Sequence, residues 1–432
     1  HLDSHALWEP QVFARSCFRI IMFSIQPQHS HLVIQQLLSH LDANSRSGAA
    51  VRAGIVAVLS EAAGIAATGA VGFSVAFWGF RSGIVAVLSE AAGIAATGAV
   101  VFQAFWHSPN PPKFPKKIPI FFPPGPTVLE VFNTLLRQLR LSIDLALAGS
   151  SQNSQNSQNS PNSGAAEPQN SRQLQESQFQ EAVIKTIGSF SATLPPYQQS
   201  EVMVFIMNKV PIPENSQHSQ HSRHFPEPAS QPDGKEIRTR LTQIMLLKSL
   251  LQVAEGLRCS SLLTALPAAF LERLLAPALL PDAHIRLFVL DILGSFLDRR
   301  RLRLRLVPSS SIADVSLLKL KVEKCSRQDS VFMKKHGSAL LCHAFRVCRL
   351  ASSSPQHFRA VFRLLALLSL ELGTDDVITD LLRLVLALQD VAQEELQLPE
   401  PSRCALAALG AALLHFLGHL LGIPAFLQHV QE

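Results

Sequence analysis

The chain has little of several features that mark common protein classes. Its 432 residues include six cysteines and no Cys-x-x-Cys pair, which argues against a disulfide-rich secreted scaffold and suits a reducing compartment. Charged residues make up only 16% and hydrophobic residues 47%, a balance that argues against a largely disordered chain. The single tyrosine, Tyr197, and a net charge of only +6 give little support for nucleic-acid binding.

Motifs of common enzymes are also missing. The chain contains no G-x-x-x-x-G-K, G-x-G-x-x-G, H-E-x-x-H or G-x-S-x-G. Two groups of conceivable metal ligands are unsuitable, one because it lies in a low-complexity segment and the other because its cysteines fall on different sides of a predicted helix from its two histidines, which share a face. These groups are His218, His221 and His224, and His336, Cys342, His343 and Cys348. We therefore predict no enzyme, no cofactor and no metal site.

Helical periodicity dominates, and strand signals are nearly absent. Apolar residues between 126 and 144 fall at spacings of three and four, and Thr127 with Glu130 predicts a capping box. Similar patterns predict helices at 10–24, 30–42, 177–191, 199–209, 236–256, 282–298, 327–349, 355–372, 375–393 and 402–422. Helices alternating with short breaks favour an all-α fold, an α-solenoid of stacked antiparallel helix pairs with disordered insertions.

Two helix starts and one core are specified further. Ser354 before Pro355, and Thr374 before Asp375, place good capping residues at predicted helix starts. The C-terminal helices should share a continuous apolar core made by Leu365, Leu368, Leu382, Val385, Leu386, Leu406 and Leu413.

Composition divides the chain into helical and low-complexity segments. A polar Ser-Gln-Asn triplet repeat and a His-, Ser- and Pro-rich stretch cannot offset their ordering entropy, so we expect both to be disordered. The predicted organisation is helical repeats at 1–149, a linker at 150–175, a helical pair at 176–213, a linker at 214–235 and helical repeats at 236–432.

A perfect internal duplication raises an alternative. GIVAVLSEAAGIAATGAV occurs at 54–71 and again at 83–100, and long charge-free stretches there permit a membrane-integrated helical protein with a hairpin at 54–106. The Ala- and Gly-rich composition, with Glu61 and Glu90 inside the copies, favours buried repeat helices instead. At 404–427, the polar His415 and His419 and the helix-breaking Pro424 likewise favour a core helix.

Basic residues concentrate at 298–306 and 319–335. They can form a solvated interhelical loop, or they can contact acidic lipid headgroups or the acidic face of a partner. The candidate contact residues are Arg299, Arg300, Arg301, Arg303, Arg305, Lys319, Lys321, Lys334 and Lys335.

Several long blocks, in the same order, resemble one family. They include WEPQVFARSCFRIIMFSI at 8–25, GPTVLEVFNTLLRQLRLSID at 125–144, RLTQIMLLKSLLQV at 240–253, KCSRQDSVFMKKH at 324–336 and LLRLVLALQDVAQ at 381–393. The family is Efr-three, called rolling blackout in flies, and the sequence of these blocks is most similar to its vertebrate B-type branch.

The resemblance implies a rod of armadillo- and HEAT-like repeats without catalytic activity. Such a scaffold would lie in the cytosol and at the cytoplasmic face of the plasma membrane as a peripheral protein, anchored by palmitoylated cysteines and a basic surface. It would help to hold the type III alpha phosphatidylinositol 4-kinase complex there, with a tetratricopeptide-repeat protein and hyccin as partners.

The resemblance does not transfer every functional residue. The acylated cysteines and the part that engages the kinase complex have no counterpart in this chain, and Cys17 lies in an apolar helical segment. Residues 72–124 also lack an equivalent in the family, so they are expected to be an insertion into the first set of repeats.

Overall fold

The fold is built from helices throughout the part of the chain that the computed structural model describes. The described residues are 10–25, 30–69, 126–151, 169–212, 234–257, 261–277, 280–306, 319–322, 324–395 and 397–431. They form α-helices and a short 3-10 helix, and none of them lies in a strand. The all-α prediction is confirmed. They divide into two compact units, His1–Thr134 and Leu135–Glu432.

The first unit is organised around its third helix. Its helices are α1 (Pro10–Ser24), α2 (Ser30–Ala43) and α3 (Ala49–Gly69), followed by the start of α4 (Pro126–Ser151). Helix α3 packs against both α1 and α2, and it buries Val56 and Leu59 completely. An ion pair between Arg19 and Glu61, with N and O 2.7 Å apart, joins α1 to α3.

The second unit contains the rest of α4 and the remaining helices. These are α5 (Gln169–Ala192), α6 (Pro196–Asn208), α7 (Gly234–Gly256), α8 (Leu262–Ala265), α9 (Ala268–Leu275), α10 (Ala283–Leu297), the 3-10 helix η1 (Leu302–Leu304), α11 (Arg327–Cys348), α12 (Pro355–Leu372), α13 (Asp375–Glu394), α14 (Glu400–Leu421) and α15 (Pro424–Gln431).

Helices of the second unit stack in two rows. In one row α5, α7, α10, α12 and α14 contact each other in succession, and in the other α6, α8, α11 and α13 do the same. Cross-contacts join α6 to α7, α11 to α12, and α13 to α14. Because each helix buries its apolar face against neighbours in both rows, this arrangement is an α-solenoid, and that prediction is confirmed.

Helix starts follow the local capping chemistry. At α12, Ser354 and the His357 ring form a reciprocal capping box, in which the Ser354 backbone N–H donates to Nδ1 of His357 over 3.1 Å. At α13, the Thr374 hydroxyl accepts from the Val377 backbone N–H. Helix α4 begins at Pro126, so Thr127 lies in its first turn rather than at the predicted cap.

Helices extend into the segments predicted as linkers. Helix α4 continues to Ser151, α5 begins at Gln169, and α7 begins at Gly234. Gln, Ser and Glu have adequate helix propensity. They can therefore extend a helix whose other turns are stabilised by buried contacts. The rest of both linkers, 152–168 and 214–233, lies outside the described residues, as do 72–124 and the second copy of the duplicated block.

The prediction of the C-terminal core is wrong for one residue, Leu386. Leu386 is 57% exposed, whereas the other six are buried or half-buried. Helix α13 has apolar residues around most of its circumference, so its sequence permits more than one phase. The structure selects the face formed by Val377, Leu381, Leu384, Val385 and Leu388.

Two apolar segments bear on the membrane alternative. Residues 54–69 lie in α3 and pack on helices of their own unit, while the rest of the proposed hairpin lies outside the described residues. Among the residues described, one helix, Glu400–Leu421, is long and apolar enough to cross a membrane. It packs against α12, α13 and α15, and 44% of its most apolar stretch is buried.

A candidate basic surface

The candidate basic residues occupy the loop after α10, the segment 319–322 and the first turns of α11. Three of the loop arginines, Arg299, Arg300 and Arg303, pair with carboxylates of the helices, whereas Arg301 and Arg305 are exposed. The lysines are exposed to solvent. This difference in pairing separates arginines that stabilise the fold from cations that remain available to a ligand.

Arg299 is part of the fold rather than a free surface charge. Its guanidinium donates two hydrogen bonds of 2.9 Å to the Asp329 carboxylate, whose side chain is only 1% exposed. That carboxylate also accepts from the Ser326 hydroxyl and from the Leu262 backbone N–H, at 2.6 Å and 2.9 Å. Asp329 thus joins the end of α10 to the starts of α8 and α11.

The environment of Asp329 keeps its carboxylate ionised. Burial by itself raises the pKa of this group, but the hydrogen bonds from Arg299, Ser326 and Leu262 outweigh burial and hold the pKa below its ordinary value. Because a buried carboxylate needs such partners, Arg299 is required by Asp329 and is not available to bind a ligand.

Arg300 is also engaged within the protein. Its guanidinium donates to the Glu371 carboxylate over 2.9 Å and to the backbone carbonyls of Lys321 and Leu370 over 3.2 and 3.3 Å. These contacts attach the segment 319–322 to the end of α12. The contact with Lys321 involves its backbone, and the Lys321 side chain is exposed.

Arg303 lies in a cluster where arginines outnumber carboxylates. It pairs with Asp291 and donates to the Ser295 hydroxyl over 3.0 Å. Arg363 of α12 approaches the same Asp291 oxygen at 3.7 Å. Burial lowers the pKa of Arg363, and the positive charges of Arg303 and Arg359 lower it further against the opposing effect of Asp291. The cluster therefore carries excess positive charge.

The other candidates are exposed. Arg301 and Lys319 have left-handed backbone conformations, with φ of 54° and 47°, and the side chains of both face solvent. Arg305, Lys334 and Lys335 are exposed as well.

Helix α11 adds two basic residues, Arg327 and Arg346, to the Lys334 and Lys335 that the sequence analysis named. Arg327, Lys334, Lys335 and Arg346 lie within one side of the helix, at spacings close to whole turns, and all four are exposed. We call these four residues the α11 basic stripe. The only acidic residue of α11 is the buried Asp329, and none of the stripe residues forms an ion pair with the described residues. Helical spacing from Lys335 was the signal that could have found Arg346.

The two cysteines of α11 lie on different sides of the helix from His336 and His343, which are seven residues apart and share a face. Cys342 is exposed, whereas burial raises the pKa of the Cys348 thiol to about 12. Burial, with the nearby charge of Arg346, lowers the pKa of His343 to about 4. The His336 ring lies beside the Phe332 ring, with centroids 5.2 Å apart and the planes tilted by 44°. The described residues contain no group of three side chains placed to hold a metal ion.

Comparison with known proteins identifies the family. The family model described as "EFR3, armadillo repeat" matches residues 1–78 and 124–432. The chain belongs to the EFR3 family. It is 51% identical to Protein EFR3 homolog B of Mus musculus, 50% to that of Homo sapiens and 47% to that of Danio rerio, in each case over 100% of this chain. These identities confirm the resemblance to the B-type branch.

The EFR3 match also specifies the kind of solenoid. An armadillo-repeat family model that covers most of the chain agrees with the two rows of helices in the second unit. The chain spans 44% of the length of these curated relatives. No solved structure matches the chain.

Proposed function

We propose that this EFR3 chain is part of a non-enzymatic scaffold that lies at the cytoplasmic face of the plasma membrane and in the cytosol. The scaffold helps to hold a type III alpha phosphatidylinositol 4-kinase complex at the membrane, with a tetratricopeptide-repeat protein and hyccin as partners. Membership of the EFR3 family supports this role, and an α-solenoid offers the extended surfaces that scaffolds use.

The α11 basic stripe carries the membrane part of the proposal. Its cations have no acidic counterpart among the described residues, so an anionic surface could neutralise them without breaking an existing ion pair. Arg299 and Arg300 differ, because binding a lipid would require them to leave Asp329 and Glu371. Exposed Val331 lies between the basic residues of the stripe, where a headgroup layer can accept a small apolar side chain.

The lysines of the stripe give a direct test. Each basic residue near an anionic bilayer contributes about 1 kcal/mol, so Lys334→Gln with Lys335→Gln should weaken binding to phosphatidylserine-containing vesicles by about thirtyfold. Co-sedimentation at low and physiological salt measures the change, and salt should weaken the wild-type interaction. The matched control is Arg172→Gln with Lys185→Gln, which removes the same charge from exposed positions of α5.

Equal loss in both double variants would show a general charge effect and contradict a specific lipid-facing stripe. No loss in either would contradict the membrane role of α11. The kinase part needs a separate measurement, the recovery of the kinase complex with the full-length protein from cells. Recovery of the complex without its kinase, or without the tetratricopeptide-repeat protein and hyccin, would contradict the proposed partners.

Alkaline carbonate extraction distinguishes the peripheral scaffold from the membrane hairpin at 54–106. A peripheral solenoid is released from membranes by carbonate, whereas a spanning hairpin remains in the pellet. The packing of residues 54–69 within their own unit favours release.

A further inference from the structure

Two histidines near the end of α14 lie with their ring nitrogens together. His415 and His419 are four residues apart, so their side chains leave the same face of the helix one turn apart. Their Nε2 atoms are 3.2 Å apart, and their ring centroids are 4.6 Å apart. Both side chains are half-buried.

We propose that His415 and His419 form a binding site for a late first-row divalent cation such as Zn²⁺. Zinc–nitrogen bonds are about 2.0 to 2.1 Å long, so two nitrogens bound at angles between a right angle and the tetrahedral angle lie about 2.8 to 3.4 Å apart. The observed separation of 3.2 Å falls within that range. The two rings therefore need little rearrangement to share an ion.

The chemistry of the donor pair selects the class of ion. Neutral imidazole suits Zn²⁺, Ni²⁺ and Cu²⁺, whereas Mg²⁺ and Ca²⁺ require oxygen ligands. Without metal, a hydrogen bond from one ring to the other accounts for the short contact, and the ion would replace the bridging proton. Because the described residues provide no third ligand in a cluster, water completes the coordination and the site exchanges its ion readily.

The position of the site gives the metal a structural consequence. His419 follows Gly418, where an added Cβ would lie 3.0 Å from Leu427 and 3.2 Å from Phe426, so α15 packs directly against this turn. Gly422, with a φ of 68°, then ends α14. An ion shared by His415 and His419 joins successive turns of α14 beside the helix that packs on them. Metal binding should therefore slow amide exchange in this turn.

The test must separate this pair from the His-rich segment at 214–235. All variants are therefore made in a full chain that carries His218→Gln, His221→Gln and His224→Gln, which we call the parent. Titration calorimetry with Zn²⁺ should show one saturable site, and Co²⁺ should give visible d–d absorption. His415→Gln and His419→Gln should each weaken binding at least about tenfold, because even loss of an outer-shell partner costs 10- to 100-fold.

A matched control and a second readout complete the test. His284→Gln removes another exposed histidine, at the start of α10, and should leave Zn²⁺ binding unchanged. Zn²⁺ should raise the melting temperature and slow amide exchange at 413–421 in the parent and in this control, but in neither pair variant. Circular dichroism verifies that each variant folds.

Equal affinity in the parent and both pair variants would overturn the proposal. So would the absence of saturable Zn²⁺ binding in both the wild-type chain and the parent, which would identify the contact as a histidine–histidine hydrogen bond. Binding that disappears with the three linker substitutions would place the metal in the His-rich segment and equally reject the site on α14. None of these outcomes depends on whether the chain binds membranes.

Discussion

Arg299 and Asp329 form two hydrogen bonds of equal length, 2.9 Å, between the end of α10 and the first turn of α11. The same carboxylate accepts the backbone N–H of Leu262 at the start of α8. One ion pair therefore connects elements from both rows of the solenoid. Its residues are 30 positions apart in the sequence.

Removal of this arginine should destabilise the second unit. Arg299→Ala leaves the buried Asp329 carboxylate without its charged partner, and breaking a buried pair in this way costs about 3 to 5 kcal/mol. Because Arg299 is 21% exposed, we expect a loss near the lower end, about 3 kcal/mol, in urea unfolding. Arg305→Ala, an exposed control in the same loop, should change stability by less than about 0.5 kcal/mol. Similar losses in both variants would contradict this role for the pair.

His343 should make stability depend on pH. Burial lowers its pKa in the folded protein to about 4, whereas an unfolded histidine has a pKa near 6.5. The unfolded state therefore binds more protons between these values. The free energy of unfolding should fall by about 3 kcal/mol from this residue as the pH falls from about 6.5 to about 4.

The measurement is urea unfolding at several pH values in the wild type and in His343→Met. The difference between their pH slopes isolates His343 from other groups, including His357, whose pKa burial also lowers. His284→Gln, which changes a side chain that is 73% exposed, serves as the control. A slope that persists unchanged in His343→Met would show that another group causes it.

Two leucines of α13 provide a matched pair for the packing of this helix. Leu388 is fully buried, so Leu388→Ala should cost about 2 to 5 kcal/mol. Leu386 is 57% exposed, so Leu386→Ala should cost less than about 0.5 kcal/mol. Denaturant unfolding measures both. The reverse order would restore the helix phase that the sequence alone suggested.

Limited proteolysis tests the low-complexity linkers. Their composition predicts that the first cuts fall within 152–168 and 214–233, because polar segments without an apolar face are accessible to proteases. Mass spectrometry of early fragments locates the cuts. Early cleavage inside 240–430, with both segments protected, would contradict the prediction.

Deletion of 72–124 tests whether one copy of the duplicated block is sufficient. The segment contains a Pro-rich apolar stretch with Phe102, Phe105 and Trp106, which is a liability if it has no partner helix. The shortened chain should show higher soluble yield and melting temperature, with equal or higher helical content per residue. Lower solubility or lost helicity would make the segment part of the fold.

The sequence by itself determined the all-helical class, the family and most helix positions. Helix α1 and helix α12 begin and end at the predicted residues, because Pro355 and the preceding Ser354 specify a start and the apolar period specifies the rest. Short helices such as α8 and α9 were missed, since a few residues give too little periodicity.

Only the tertiary structure decided which apolar face is buried and which cations are free. Leu386 and Leu388 have the same side chain, and the contacts of α13 with α11, α12 and α14 decide which one is buried. Likewise, Arg299 and Lys335 are both basic residues of one sequence region. Arg299 meets a carboxylate 30 residues away, whereas Lys335 faces solvent, and such pairing depends on packing between distant segments rather than on local pattern.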